Sequence, residues 1–126
     1  MNFSNKRPMI AVVDDDKSMR KATGRLVQSM GYNTITFPSA EKFLSSEKLR
    51  DTSCLITDVQ MPGLSGLDLQ DRLITNGHLI PIIFITADPD NVVRARAAKD
   101  ETVCILAKPF KADRLRDCVE TALKWA

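Results

Sequence analysis

No apolar run in these 126 residues approaches the length of a membrane span. The longest candidate, Met9 to Val13, leads straight into three aspartates, whereas a spanning helix needs about 20 apolar residues. That excludes a membrane segment, and no secretory signal is read either. Charge of one sign is not in excess. Eighteen Lys and Arg stand against 16 Asp and Glu, a net +2, too little for the concentrated basic face of a nucleic-acid binder. Cysteine is scarce: Cys54, Cys104 and Cys118 are odd in number and fit no zinc-ligand spacing. We expect reduced thiols in the core of a cytoplasmic protein. No repeat, low-complexity tract or linker is present. What remains is 44% hydrophobic and 27% charged, the balance of a soluble globular protein. The length suits one domain, able to hide roughly two thirds of its unfolded surface.

Residues 1–7 are polar and read as a flexible tail before a domain over 8–126. Apolar runs then alternate with amphipathic stretches. Met9 to Val13 predicts a strand. Lys17 to Met30 predicts a helix, with Met19, Ala22, Leu26, Val27 and Met30 at helical spacing and Gly31 as its stop. Thr34 to Phe37 is strand-like, and Ser39 is a good N-cap for a short helix to Leu44. Cys54 to Thr57 predicts the third strand. Met61 to Gly66 is turn chemistry, before a helix from Leu67 to Ile74 that ends near Asn76-Gly77. Pro81 to Thr86, a helix over Asn91 to Lys99, a strand over Val103 to Ala107 and a helix from about Ala112 to Trp125 complete the chain. Nearly all-apolar strands alternating with helices imply a parallel sheet covered on both faces. The expected fold is α/β, a flavodoxin-like (βα)5 doubly wound five-stranded sheet in the order 2-1-3-4-5.

Ligands of such sheets bind outside the carboxyl ends of the strands. Strand 1 ends in Asp14-Asp15-Asp16, strand 3 in Asp58, strand 4 in Thr86-Ala87 and strand 5 in Lys108-Pro109. Taken singly, each is ordinary: a solvated acid, a turn residue, a strand threonine, a surface lysine. Their joint convergence on one end of one sheet is what points to a site. Clustered carboxylates repel unless a cation joins them. An all-oxygen set suits Mg²⁺, which takes one or two carboxylates and completes its shell with water and phosphate. Lys108 supplies a point charge for a phosphate oxygen, and Thr86 a hydrogen bond. The set fits phosphoryl transfer, with Asp58 able to form an aspartyl phosphate.

The runs Val12-Val-Asp-Asp-Asp16, Ile56-Thr-Asp-Val-Gln-Met-Pro-Gly63 with Ser65-Gly-Leu67, Ile85-Thr-Ala87 and Ala107-Lys-Pro-Phe110, in this order and spacing, resemble the receiver domain of two-component response regulators. The resemblance covers Met9 to the C-terminus. It implies a signalling switch in a phosphorelay, phosphorylated and dephosphorylated on itself rather than a turnover enzyme. Asp14 and Asp15 match the acidic pair that holds Mg²⁺, Asp58 the phosphoacceptor and metal ligand, and Gln60 the position whose backbone carbonyl is a further metal ligand. Thr86 matches the switch hydroxyl, Lys108 the family lysine with a cis bond to Pro109, and Ala87 a small residue that leaves room for the phosphoryl group. Asp16 has no fixed family role and reads as a solvated helix-start acid.

The implied partner is a sensor histidine kinase or histidine phosphotransfer domain, met at a patch of Met19, Pro109 and Phe110. The face of the Asn91 to Lys99 helix, the fifth strand and the last helix is the candidate for a homodimer. No direct nucleic-acid or membrane contact is implied. Two departures stand out. Ile105 occupies the position, three before the lysine, where the family has Tyr or Phe. Asp100-Glu101 stands where Gly-Ala is common.

Other readings remain. A degenerate receiver would serve only as a protein-binding module. A haloacid-dehalogenase-like phosphatase would use Asp14 as nucleophile and Asp16 as acid, but leaves Asp58 unexplained. A flavodoxin-type FMN binder shares the fold, yet three aspartates would repel its phosphate.

Overall fold

A computed structural model describes residues 7–90 and 101–124. Five parallel strands form one sheet in the order β2-β1-β3-β4-β5: β1 Met9–Val13, β2 Asn33–Phe37, β3 Thr52–Asp58, β4 Ile82–Thr86 and β5 Thr102–Ala107. The helices are α1 Lys17–Ser29, α2 Ala40–Leu44, α3 Gly66–Thr75 and α4 Ala112–Lys124, with a 3₁₀ turn over Glu47–Asp51. This is the expected fold and strand order. The tail before Arg7 and the helix over Asn91 to Lys99 lie outside the described residues.

The central strands are buried because helices cover both of their faces. β4 is buried at every position, and β1 and β3 at nearly every one. One core layer joins Ala11, Val13, Leu55 and Phe84 to Phe43, Leu69 and Leu73 of α2 and α3. The other joins Ile10, Val12, Ile56 and Ile83 to Val27 of α1 and to Leu115, Val119 and Ala122 of α4. Odd and even residues of one strand feed opposite layers, as a period of two requires.

Helix ends follow local chemistry. The Asp16 side chain caps α1 by accepting from the Met19 amide at 3.1 Å, which gives this acid the helix-start role expected of it. Ser39 caps α2 in the same way. Ser65 and Asp68 exchange a capping box at the start of α3, satisfying two amides that the first turn leaves without partners. Gly31 and Gly77, at φ 97° and 79°, follow α1 and α3 in the left-handed region, where a Cβ is penalised.

One expectation is corrected. Cys104 and Cys118 are not reduced thiols but a disulfide, with Cα atoms 6.0 Å apart. Cys104 lies on the α4 side of β5, and Cys118 on the buried side of α4. Packing the helix on the strand brings their backbones within bonding range. Cys54 is free and buried, as expected. The 3₁₀ turn was not anticipated, and β3 extends beyond its predicted Cys54 to Thr57 at both ends.

Candidate functional site

The sheet register builds the site. Val13 is level with Thr57, Asp58 with Ile85 and Thr86 with Ala107. The residues at or just past these positions, Asp14, Asp58, Thr86 and Lys108, therefore emerge together at one edge. Backbone bonds hold the strand ends: Asp14 N–H to the Phe37 carbonyl, Val59 N–H to Ile85 and Lys108 N–H to Thr86, at 2.8 to 3.1 Å. Lys108-Pro109 is cis, as expected.

Among the described residues, Asp14, Asp15 and Asp58 form a carboxylate group with ligand oxygens all within 4.8 Å of one another. Asp14 is 5% exposed, Asp58 9%, and Asp15 open to solvent. The Lys108 ammonium donates to Asp58 Oδ2 at 2.8 Å. Asp58 Oδ1 accepts from the Gln60 amide at 3.3 Å, and Asp14 Oδ1 from the Asp16 amide at 2.9 Å. Thr86 is buried, and its hydroxyl accepts from the Asp88 amide at 3.1 Å. Ala87 is exposed beside it.

The electrostatics are those of a carboxylate cluster with one built-in cation. Burial raises the Asp14 carboxyl above the usual carboxylate value. The Asp16 amide and Lys108 oppose this shift, while Asp58 and Asp15 add to it. For Lys108, burial disfavours the charge, but the hydrogen bond and charge of Asp58, with Asp14 and Asp16, outweigh it and the ammonium is held above its usual range. The donors are all hard oxygens, and a partly buried acid cluster favours a divalent cation, so the residues present fit Mg²⁺.

Three supports went unread in the sequence. Arg20 donates from Nη1 to the Asp14 carbonyl at 2.9 Å. Its place one turn after the Asp16 cap could have suggested that it turns back to the strand end. Glu41, on α2, accepts from the Leu64 amide at 3.2 Å and steadies the loop after β3. Gly66 donates to the Val59 carbonyl at 2.8 Å. A Cβ there would meet the Asp58 carbonyl oxygen, so glycine is needed for close approach rather than for φ.

Ile105 is partly buried and packs with the core layer of α2 and α3. Met19 and Phe110, half-buried, line a groove of about 240 Å³ with Ala22, Thr23, Leu26 and Pro109 beside the site.

Fold and site together define an α/β domain that gathers acids, a hydroxyl and an ammonium at its strand ends. Residues 10–120 match the family described as the response regulator receiver domain, and the chain belongs to that family. It is 42% identical over 119 residues to nodulation protein W of Bradyrhizobium diazoefficiens, covering 94% of this chain and 52% of that protein. It is 38% identical over 125 residues to response regulator protein TmoT of Ectopseudomonas mendocina, covering 99% and 57%. The solved structure of response regulator StyR superposes with a TM-score of 0.87 at 39% identity, over 94% of this chain and 60% of that one. The chain thus spans about half the length of the curated relatives it matches.

Proposed function

We propose that residues 8–126 act as a Mg²⁺-dependent phosphorylation switch whose acceptor is Asp58. The observation that carries this reading is the Asp58 carboxylate, bonded to Lys108 at 2.8 Å and flanked by Asp14 and Asp15. The donor is a phospho-histidine on a sensor histidine kinase or a histidine phosphotransfer domain. An Asp58 oxygen attacks phosphorus while the P–N bond breaks, and the departing imidazole nitrogen keeps the bonding pair and takes up a proton. Lys108 neutralises charge on one phosphoryl oxygen, and the Thr86 hydroxyl turns to donate to another. Asp14, Asp15, Asp58 and the Gln60 backbone carbonyl would hold the ion. When bound, Mg²⁺ offsets the negative charge of acceptor and phosphoryl group. Hydrolysis of the acyl phosphate resets the domain, so it is a switch and not a turnover enzyme.

The groove of Met19, Leu26, Pro109 and Phe110 suits the histidine-bearing partner, being apolar and next to Asp58. The homodimer candidate remains the face that includes β5 and α4. A net charge of +2 gives no reason to assign nucleic-acid contact to this domain. Family membership favours the cytoplasm. A phosphatase built on Asp14 leaves the Asp58–Lys108 pair without a task.

Acetyl phosphate with Mg²⁺ should add one phosphoryl group, read by intact mass, and Asp58→Asn should abolish the addition. Equal labelling of the variant would overturn the assignment.

A further inference from the structure

Cys104 and Cys118 join the two elements at one end of the molecule, the edge strand β5 and the last helix. They are 14 positions apart in sequence, and between them lie Lys108 and the start of α4. The two cysteine residues differ in exposure. Cys118 is 4% exposed, whereas Cys104 is only half-buried on its edge strand. The third cysteine, Cys54, is fully buried on the central strand β3, and burial pushes its thiol up to about 12. It is therefore an inert internal reference, because the thiolate is the reactive form.

A disulfide reachable from solvent at an edge strand can be attacked without opening the core, and access is one determinant of exchange. Relatives of this chain are bacterial regulators, and disulfides in a reducing bacterial cytosol are usually transient or redox-sensing rather than structural. We propose that Cys104 and Cys118 form a reversible thiol–disulfide modification site, oxidised by a low-molecular-weight disulfide of the glutathione type, that clasps α4 to β5. The Cys104 thiolate attacks the external disulfide, forming a mixed disulfide and releasing one thiol. The Cys118 thiolate then attacks the Cys104 sulfur and releases the second thiol. Two protein sulfurs are oxidised, one external disulfide is reduced to two thiols, and the two protons leave with them. This site is independent of the phosphoryl chemistry at Asp58.

The test is a redox titration of the full chain in glutathione buffers, quenched in acid, alkylated and read by intact mass. The oxidised fraction should rise from about one tenth to about nine tenths over an about eighty-fold fall in the squared thiol to disulfide ratio, as a single two-electron couple requires. It should return on re-reduction under native conditions, with Cys54 unmodified throughout. Cys118→Ser should trap one glutathione on Cys104. Cys104→Ser, checked for an unchanged circular dichroism spectrum, should acquire an adduct at least about tenfold more slowly, because its remaining thiols are buried. A dithiol that stays reduced in excess oxidised glutathione, a bond that native reduction does not open, or equal adduct rates in the two variants would each overturn the proposal.

Discussion

Asp14 carries the conflict of the site. Its carboxyl is raised by burial and by neighbouring acids, so its charge costs the metal-free fold stability at neutral pH. A folded value above the unfolded 3.8 means the folded state holds the proton more tightly. Stability from this group is fully present below 3.8 and is lost as pH rises through the raised value. Asp14→Asn should therefore melt higher than wild type at neutral pH without metal, and the difference should shrink as the solution is acidified toward 3.8. Millimolar Mg²⁺ should reverse the order, since wild type gains about 2.7 kcal/mol at a hundred times the dissociation constant and the variant loses a ligand. Thermal melts of both proteins with and without Mg²⁺ decide it. Gly66 makes the opposite kind of contribution, through shape. A Cβ would press on the backbone of Asp58 and Val59, and strain of this kind costs about 1–3 kcal/mol. Urea unfolding of Gly66→Ala should show that loss, and acetyl phosphate labelling should slow because the Asp58 backbone must shift.

At the scale of elements, α1 serves the site twice. Its N-cap, Asp16, bonds the Met19 amide, and its first turn sends Arg20 back to the Asp14 carbonyl. The same turn presents Met19 to the groove shared with Phe110. Both side chains are half-buried, and Phe110 also packs against the core layer of α1 and α4, so each keeps some surface that a partner can meet. Met19→Ala or Phe110→Ala should slow transfer from a phospho-histidine donor protein about tenfold or more, consistent with losing an apolar anchor worth about 1–2 kcal/mol. The rate with acetyl phosphate should stay within about twofold. Equal slowing with both donors would make these residues structural. The capping signal at Ser39 was legible because a cap needs only its own three or four neighbours. The 3₁₀ turn at Glu47–Asp51 was not, since its residues carry no periodic apolar pattern and its one buried side chain, Leu49, takes its place only against the α2 layer.

For the whole molecule, the question is how a change at Asp58 reaches the β5 and α4 face. Ile105 is packed with the core layer. As a β-branched residue it has a stiff χ1 and cannot swing a ring between two positions. A modification shifts an equilibrium only by its differential affinity for the two states, so the response across this face should be modest. Amide NMR shifts on adding beryllofluoride and Mg²⁺ should be large around Asp58 and Thr86 and small from Val103 to Leu115. Large changes across that face, surviving Ile105→Val, would show that Ile105 does not limit the response.

The strand-end acids, the threonine and the lysine were legible because apolar strands with polar ends are a one-dimensional pattern. Parallel pairing of such strands allows few arrangements, and the sheet order followed from the same alternation. The sequence by itself therefore determined the α/β class, the strand order and the placement of Asp14, Asp15, Asp58, Thr86 and Lys108 at the strand ends. Only the tertiary structure decided which distant groups touch. The Lys108–Asp58 contact spans fifty residues, and Glu41 reaches Leu64 across twenty-three. The close approach of Gly66 to Asp58 depends on how α3 leaves the sheet. The Cys104–Cys118 bond was misread for the same reason. Whether two cysteines meet depends on the docking of α4 against β5 to within a few ångströms, and that distance is set by packing between layers, which no spacing along the chain encodes.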